Sequence, residues 1–237
     1  MDFTTLLGKR AVGHAQAKDY CDWAEDLLLQ SIESESIAIL ASLGVERSPD
    51  IYEVRAYFEK CVAELGWTIP EEKLAILDYA KSLCTQLCNG TLKPRIGLGH
   101  LQCFWDFADD NPLYGIWYDL DEDICWLEQG EQYFWNACLA QENSDGFIIK
   151  VAKQFLELCE LDLPDNFLRL SLCTECGHIG MARQTKREKS WLSVKLFKLI
   201  YGRWPTRSRW VCSQCAESCL LALSDYEGRQ RFLTGQC

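Results

Sequence analysis

The chain has 237 residues, a formal net charge of −11 at pH 7 and a hydrophobic content of 48%, values typical of a globular protein with one large domain or two. Residues 1–19 lack the features of a secretion signal, and no apolar stretch is long enough to span a bilayer. We therefore expect a soluble, cytoplasmic protein with no membrane partner. The 14 cysteines then indicate a reducing compartment, in which thiols serve as metal ligands or core residues rather than as disulfides.

The charge is distributed unevenly along the chain. Residues 1–170 contain 13 Lys and Arg against 30 Asp and Glu, a net charge of −17, whereas residues 171–237 contain 11 against 5, a net charge of +6. Pro164 ends a helical pattern close to this change of sign. We therefore predict an acidic α-helical domain at 1–165 and a basic zinc-binding module at 166–237. The expected fold class is mainly α, with the helices packed on the small four-cysteine module.

Helices are predicted through most of the N-terminal part, because apolar residues recur there every three or four positions. Serine, proline and acidic residues at the starts and glycines at the ends favour the same boundaries. The segment 91–99, which contains Pro94 and two glycines, is predicted to be a loop. The predicted helices cover 17–30, 32–43, 50–65, 70–89, 121–129 and 143–159.

Residues 104–135 are rich in aromatic rings and carboxylates. A surface of this kind could hold a peptide or a cationic ligand, but a core of rings with the acids facing water is the preferred interpretation. Asp119, Asp121 and Asp123 resemble the start of a calcium loop, yet the glycine that should follow is Ile124. We expect these acids to cap the helix at 121–129 instead.

Two Cys-x-x-Cys pairs near the C-terminus carry the strongest chemical signal. Cys173 and Cys176 form the first pair, and Cys212 and Cys215 form the second. Two such pairs can complete a tetrahedral four-sulfur shell around Zn²⁺, and a closed shell of this kind is structural. The sequence therefore predicts these four cysteines as zinc ligands.

Three alternatives use the same cysteines. A dithiol redox site normally has one such pair after a strand of a βαβ unit, a pattern that this chain lacks. An iron–sulfur cluster could use the same four thiolates. A mixed zinc shell could include His178 or Cys219, although we prefer His178 as a surface residue.

The residues around the pairs resemble a known class of zinc finger. Gly177 can adopt the positive φ of a zinc knuckle, and residues 216–223 favour a helix that would place Cys215 in its first turn. A knuckle followed by a ligand pair that opens a helix resembles the treble-clef class, over residues 166–237 only. The resemblance implies a metal-stabilised fold and names no substrate.

Nine basic residues lie between the two pairs, opposed only by Glu188 and interleaved with aromatic residues. Such a segment could bind a phosphate backbone and unstacked bases, so nucleic acid is the alternative partner. We prefer another protein, or the acidic N-terminal part, because a polyanion would be repelled by that part. The candidate residues are Arg183, Lys186, Arg187, Lys189, Lys195, Lys198, Arg203, Arg207 and Arg209.

Catalysis has little support in this sequence. Of three histidines, His100 is the best placed for acid–base chemistry, but it belongs to no recognisable nucleophile or open-metal motif. A phosphate-binding Gly-rich loop with its lysine is missing as well. We therefore expect a non-enzymatic, zinc-stabilised interaction or adaptor protein that acts through protein–protein contacts.

Overall fold

The structure is a computed structural model that describes residues 1–107, 109, 111–130, 135–186 and 208–235. The chain divides into two compact units, Met1–Asp110 and Asn111–Cys237. Helices predominate in the described residues, which confirms the mainly α fold class. Within these residues, none of the helices has the length and apolar character needed to cross a membrane.

The first unit is a set of helices around one hydrophobic core. Helix α1 packs along α5, and α3 packs on both α2 and α4. At the centre, the ring of Phe58 lies 5.1 Å from that of Tyr20 and 5.2 Å from that of Trp23, and all three side chains are buried. The helices are α1 (Phe3–Ala11), α2 (Ala17–Leu29), α3 (Glu35–Leu43), α4 (Ile51–Glu64), α5 (Glu72–Asn89) and α6 (Pro94–Leu101).

Four of the predicted helices, which correspond to α2 to α5, are confirmed within a few residues at each end. Local capping explains this agreement, since the Asp50 carboxylate accepts a hydrogen bond from the N–H of Tyr52 at the start of α4. The loop predicted at 91–99 is wrong, because α6 begins at Pro94. A proline is well suited to a first helical turn, and the burial of Leu98 and Leu101 outweighs the low helix propensity of the glycines.

The second unit combines helices with two small sheets. Strands β2, β1 and β5 form one antiparallel sheet in that order, and β3 pairs with β4 in a two-stranded ribbon. The elements are α7 (Gly115–Glu128), α8 (Ser144–Leu158), β1 (Ser171–Cys173), β2 (Ile179–Gly180), β3 (Arg183–Lys186), β4 (Ser208–Val211), β5 (Leu220–Ala222) and α9 (Tyr226–Thr234).

Helix α9 packs on α8 and on the sheet, which places the cysteine pairs in the same unit as α7 and α8. The ring of Tyr226 lies 5.0 Å from that of Phe147, and the ring of Phe232 lies 5.0 Å from that of Phe167. The boundary that the charge pattern indicates, after residue 165, falls inside this second unit.

Two helix predictions in the second unit need correction. The helix predicted at 121–129 begins at Gly115, so Asp123 lies inside α7 and not at its start. The buried Asp123 carboxylate instead accepts hydrogen bonds from the backbone N–H groups of Trp135 and Asn136. The helix predicted at 216–223 is absent, because β5 pairs there with β1. Pairing with a neighbouring strand outweighs local helix propensity at this position.

The aromatic region supplies core residues, as the preferred interpretation predicts. Phe104 in the first unit and Tyr114 and Trp117 in the second are buried. Trp105 is an exception, with 48% of its surface exposed.

Candidate metal centre

The first cysteine pair lies in a tight turn that follows β1. The N–H of Cys173 donates a 2.9 Å hydrogen bond to the carbonyl of His178, and the N–H of Gly177 donates a 2.9 Å bond to the carbonyl of Cys173. Gly177 has a φ of +70°, a left-handed conformation that glycine adopts without steric cost. The positive φ expected for Gly177 in a tight turn around the first pair is therefore present.

The second pair lies in a turn with the same backbone hydrogen bonds. The N–H of Cys212 donates a 2.7 Å bond to the carbonyl of Glu217, and the N–H of Ala216 donates a 3.1 Å bond to the carbonyl of Cys212. Ala216 occupies the position equivalent to Gly177 and has a φ of +64°. Left-handed backbone is strained for a residue with a Cβ atom, so the surrounding structure must hold this turn in place.

The two turns bring the four sulfur atoms to one point. The Sγ atoms of Cys173 and Cys215 are 3.5 Å apart, those of Cys176 and Cys212 are 3.7 Å apart, and all four lie within 4.8 Å of one another. Four sulfurs bound tetrahedrally at the zinc–sulfur distance of about 2.3 Å would be separated by about 3.8 Å. The four predicted ligand residues therefore form one cluster that could hold a metal ion.

The sheet and the ribbon position this cluster. Cys173 is the last residue of β1, and Cys212 directly follows β4. Both of these cysteines are buried, whereas Cys215 is half-buried and Cys176 is exposed. The first cysteine of each pair is thus anchored by a strand, and the second lies on the solvent side.

The thiol pKa values show how the sulfurs affect one another. Hydrogen bonds from the backbone, chiefly the N–H of Cys215, lower the pKa of Cys212 to about 6. The N–H of Glu217 favours the Cys215 thiolate, but desolvation and the neighbouring sulfurs outweigh it and raise the pKa of Cys215 to about 12. The neighbouring sulfurs therefore oppose the ionisation of Cys215, and a bound cation would stabilise its thiolate.

His178 and Cys219 lie outside the group of four sulfurs. The Nε2 atom of His178 is 3.0 Å from the hydroxyl of Ser213, a contact that connects the two turns. The carbonyl of Cys219 accepts a 2.9 Å hydrogen bond from the N–H of Thr174. Both residues therefore stabilise the pairing of the turns, and the described cluster consists of cysteines alone.

A buried arginine ties the cysteine module to α8. The Arg229 side chain is 1% exposed, and its guanidinium donates to the carbonyls of Leu223 and Ser224 as well as to Gln154. Asp119 also interacts with this cation, although desolvation is the stronger influence and raises the pKa of the Asp119 carboxyl to about 6. Sequence reasoning missed this network, because nothing in the pattern distinguishes Arg229 from a surface arginine.

The structure describes three of the nine basic residues that are candidates for binding a partner. Arg183 and Lys186 lie on β3, and Arg209 lies on β4. The side chains of Arg183 and Arg209 are exposed. The remaining candidates lie outside the described residues: Arg187, Lys189, Lys195, Lys198, Arg203 and Arg207.

His100, the best-placed candidate for acid–base chemistry, is exposed near the end of α6. The neighbouring thiol of Cys103 is directed to the backbone carbonyl of Gly99, at 3.6 Å.

No protein-family model matches the chain, and no curated protein or solved structure showed significant similarity to it. The fold and the cysteine cluster define the class as a mainly helical protein with a four-sulfur site that could bind a metal ion.

Proposed function

We propose that this chain is a zinc-stabilised, non-enzymatic interaction or adaptor protein of the cytoplasm that acts through protein–protein contacts. The observation that carries the proposal is the convergence of four cysteine sulfurs within 4.8 Å. Four thiolates fill the shell of a tetrahedral zinc ion and leave no position for water or substrate. The ion would hold β1, β4 and the two turns together, as structural zinc does in small modules.

The spacing of the sulfurs favours a single ion over the other thiol chemistries. A multi-iron cluster binds its cysteines through different iron atoms, which spreads their sulfurs farther apart than the ligands of one ion. A redox dithiol brings the two sulfurs of one pair together. Here the contacts at 3.5 and 3.7 Å join cysteines of different pairs.

Among the classes of zinc finger, we propose one in which each Cys-x-x-Cys pair lies in a zinc knuckle and the two knuckles have equivalent backbone hydrogen bonds. In a treble clef the second ligand pair opens a helix, whereas here α9 begins at Tyr226, well after Cys215. The matching turns and the short antiparallel strands resemble the zinc ribbons more closely.

The first unit offers a surface for a protein partner. A cleft of about 240 Å³ lies between α1 and α5, with Leu7 and Ala75 among its apolar residues. Ile69 lines the cleft and is 38% exposed, and Leu74, which precedes Ala75, is 53% exposed. Exposed apolar side chains beside a concave surface are typical of a binding site for another protein.

The charge of this unit indicates the chemistry of the occupant. Residues Met1–Asp110 contain 18 Asp and Glu against 10 Lys and Arg, a net charge of −8. Glu72 lines the cleft, while Arg10 at the cleft is already paired with Glu59 at 2.7 Å. We therefore propose a partner segment with an apolar anchor residue flanked by basic side chains.

Site-specific photo-crosslinking tests this surface. A photoreactive residue at position 69 should capture a discrete protein from an extract of the source cells, and the double variant Ile69→Lys, Leu74→Lys should abolish its binding. Leu29→Lys is the matched control, because Leu29 is 77% exposed at the end of α2 and is not among the residues that line the cleft. Equal binding by the double variant and the control would refute the proposed surface. The captured protein must also contain a segment in which an apolar anchor residue is flanked by basic side chains.

A further inference from the structure

The four sulfurs of the cysteine cluster differ in their access to solvent. Cys176 is exposed and Cys215 is half-buried. Cys173, at the end of β1, and Cys212, directly after β4, are buried. A bound metal ion keeps its cysteine ligands in the thiolate form, and the oxidation of a thiolate depends on its exposure. Cys176 is therefore the ligand most open to a small oxidant.

Each sulfur on the solvent side has a buried sulfur of the other turn as a close neighbour. The Sγ atom of Cys176 is 3.7 Å from that of Cys212, and the Sγ atom of Cys215 is 3.5 Å from that of Cys173. The sulfurs of a disulfide are about 2.05 Å apart, so each couple must approach by about 1.5 Å. A bond within one pair would instead close a small ring over a turn that backbone hydrogen bonds already fix. The geometry therefore favours disulfides between the two turns.

We infer that Cys176 and Cys212 form a peroxide-sensitive site that releases the metal ion, an inference that rests on the zinc site proposed above. The Cys176 thiolate attacks hydrogen peroxide, the O–O bond breaks, and a sulfenic acid and a hydroxide ion form. The Cys212 thiolate then attacks the sulfenic sulfur, the S–O bond breaks, and a second hydroxide ion leaves. Two electrons pass from the two sulfurs to one peroxide molecule, which yields one disulfide.

This disulfide removes two of the four ligands, because a cysteine binds a metal as its thiolate. The two remaining sulfurs cannot complete a structural four-sulfur shell, so the ion leaves. Cys173 and Cys215 are then free to form a second disulfide by the same two steps with another peroxide molecule.

Both disulfides join the turns that the ion joined. They connect residues 36 and 42 positions apart in the chain, and such bonds constrain the unfolded state. The oxidised module therefore keeps the connection between the ends of β1 and β4 after it has lost its metal. A thiol reductant would reverse both bonds by exchange and restore the site.

Peroxide treatment of the zinc-loaded protein, followed with a chromophoric zinc indicator, tests this inference. The wild type should release its zinc and form about one disulfide for each peroxide consumed. Peptide mapping by mass spectrometry should find the disulfide between Cys176 and Cys212 first. Cys219→Ser is the matched control, since Cys219 is exposed outside the four-sulfur group and its loss should leave the release rate unchanged.

Cys176→His tests the role of the exposed ligand. An imidazole also binds zinc, so this variant should keep its metal, and it should release zinc at least several-fold more slowly in peroxide. The peptide map of the wild type tests the same point without a ligand substitution. Limited proteolysis should show that the oxidised module stays resistant, whereas removal of zinc by a chelator under reducing conditions should make it sensitive.

The results separate this inference from the proposed function. A protein without zinc before peroxide is added would refute the proposed function and remove the premise of both. Zinc that stays bound in peroxide would overturn the redox inference alone. Disulfides within the Cys-x-x-Cys pairs, or release from a zinc-loaded Cys176→His variant as fast as from the wild type, would do the same.

Discussion

The Nε atom of Arg229 on α9 donates a 2.7 Å hydrogen bond to the Oε1 atom of Gln154 on α8. The amide nitrogen of Gln154 in turn donates to the carbonyl of Tyr226 at 3.1 Å and to the side chain of Gln230 at 3.3 Å. Burial lowers the pKa of Arg229 to about 10, which still leaves the side chain charged at neutral pH. Gln154 therefore shares the buried cation with the carbonyls of Leu223 and Ser224, and it joins α9 to α8.

Gln154→Leu should destabilise the second unit by about 2 to 3 kcal/mol, because it removes a hydrogen-bond acceptor from a buried charge. Urea unfolding measures this change, and Gln129→Leu at an exposed position is the control. The double variant Gln154→Leu, Arg229→Met should recover most of the loss, since the buried charge is then removed as well. A double variant no more stable than Gln154→Leu would contradict this explanation.

Asp119 should make stability depend on pH in mildly acidic solution. Its pKa of about 6 in the folded protein exceeds the value of about 3.9 for an unfolded aspartate. The folded state therefore binds the proton more tightly. The resulting stabilisation is complete below about pH 4 and is lost as the pH rises to about 6.

The Asp119→Asn variant isolates this dependence. Over the same range the wild type should lose about 1 to 2 kcal/mol of unfolding free energy relative to the variant. This figure lies below the full value of the pKa shift because the carboxyl is partly exposed. Urea unfolding of both proteins at a series of pH values measures the difference. A constant difference between them from pH 4 to 6 would mean that Asp119 keeps an ordinary pKa.

The positive φ angles of Gly177 and Ala216 predict opposite effects of exchanging glycine and alanine. Ala216→Gly should relieve strain in the second turn and tighten metal binding about fivefold, which corresponds to about 1 kcal/mol. Gly177→Ala should weaken metal binding by a similar factor. Competition with a chromophoric chelator measures both affinities. Weaker binding by Ala216→Gly would show that the turn is not strained at this position.

Cys173→Ser and Cys212→Ser should unfold the cysteine module while the helices of the first unit retain most of their helicity, because structural zinc supplies much of a small module's folding free energy. Limited proteolysis and far-UV circular dichroism separate the two effects. Cys219→Ser is the control, since Cys219 is exposed and lies outside the four-sulfur group. Loss of the metal in Cys219→Ser, or an unchanged protease pattern in Cys173→Ser, would count against the ligand assignment.

The sequence was most informative where a local signal determines local structure. The helices α2 to α5 have caps and apolar spacing that can be read along the chain, and they occur where predicted. The convergence of four cysteines could also be predicted, because the spacing of each Cys-x-x-Cys pair is itself the geometric requirement.

The sequence was least informative where distant segments determine the structure. Residues 216–223 favour a helix locally, but pairing of β5 with β1 makes 220–222 a strand. Asp123 was expected at a helix start, and it instead binds the backbone at Trp135 and Asn136. The role of Arg229 depends on Gln154, which lies 75 positions earlier. Such contacts leave no periodic signal along the chain.

X-ray absorption spectroscopy of the 237-residue protein, purified without chelator, tests the central claim most directly. We predict one zinc ion per chain, bound by four sulfurs at about 2.3 Å and by no nitrogen or oxygen. A sample without stoichiometric metal, a site occupied by iron, or a zinc ion with fewer than four sulfur ligands would contradict the account.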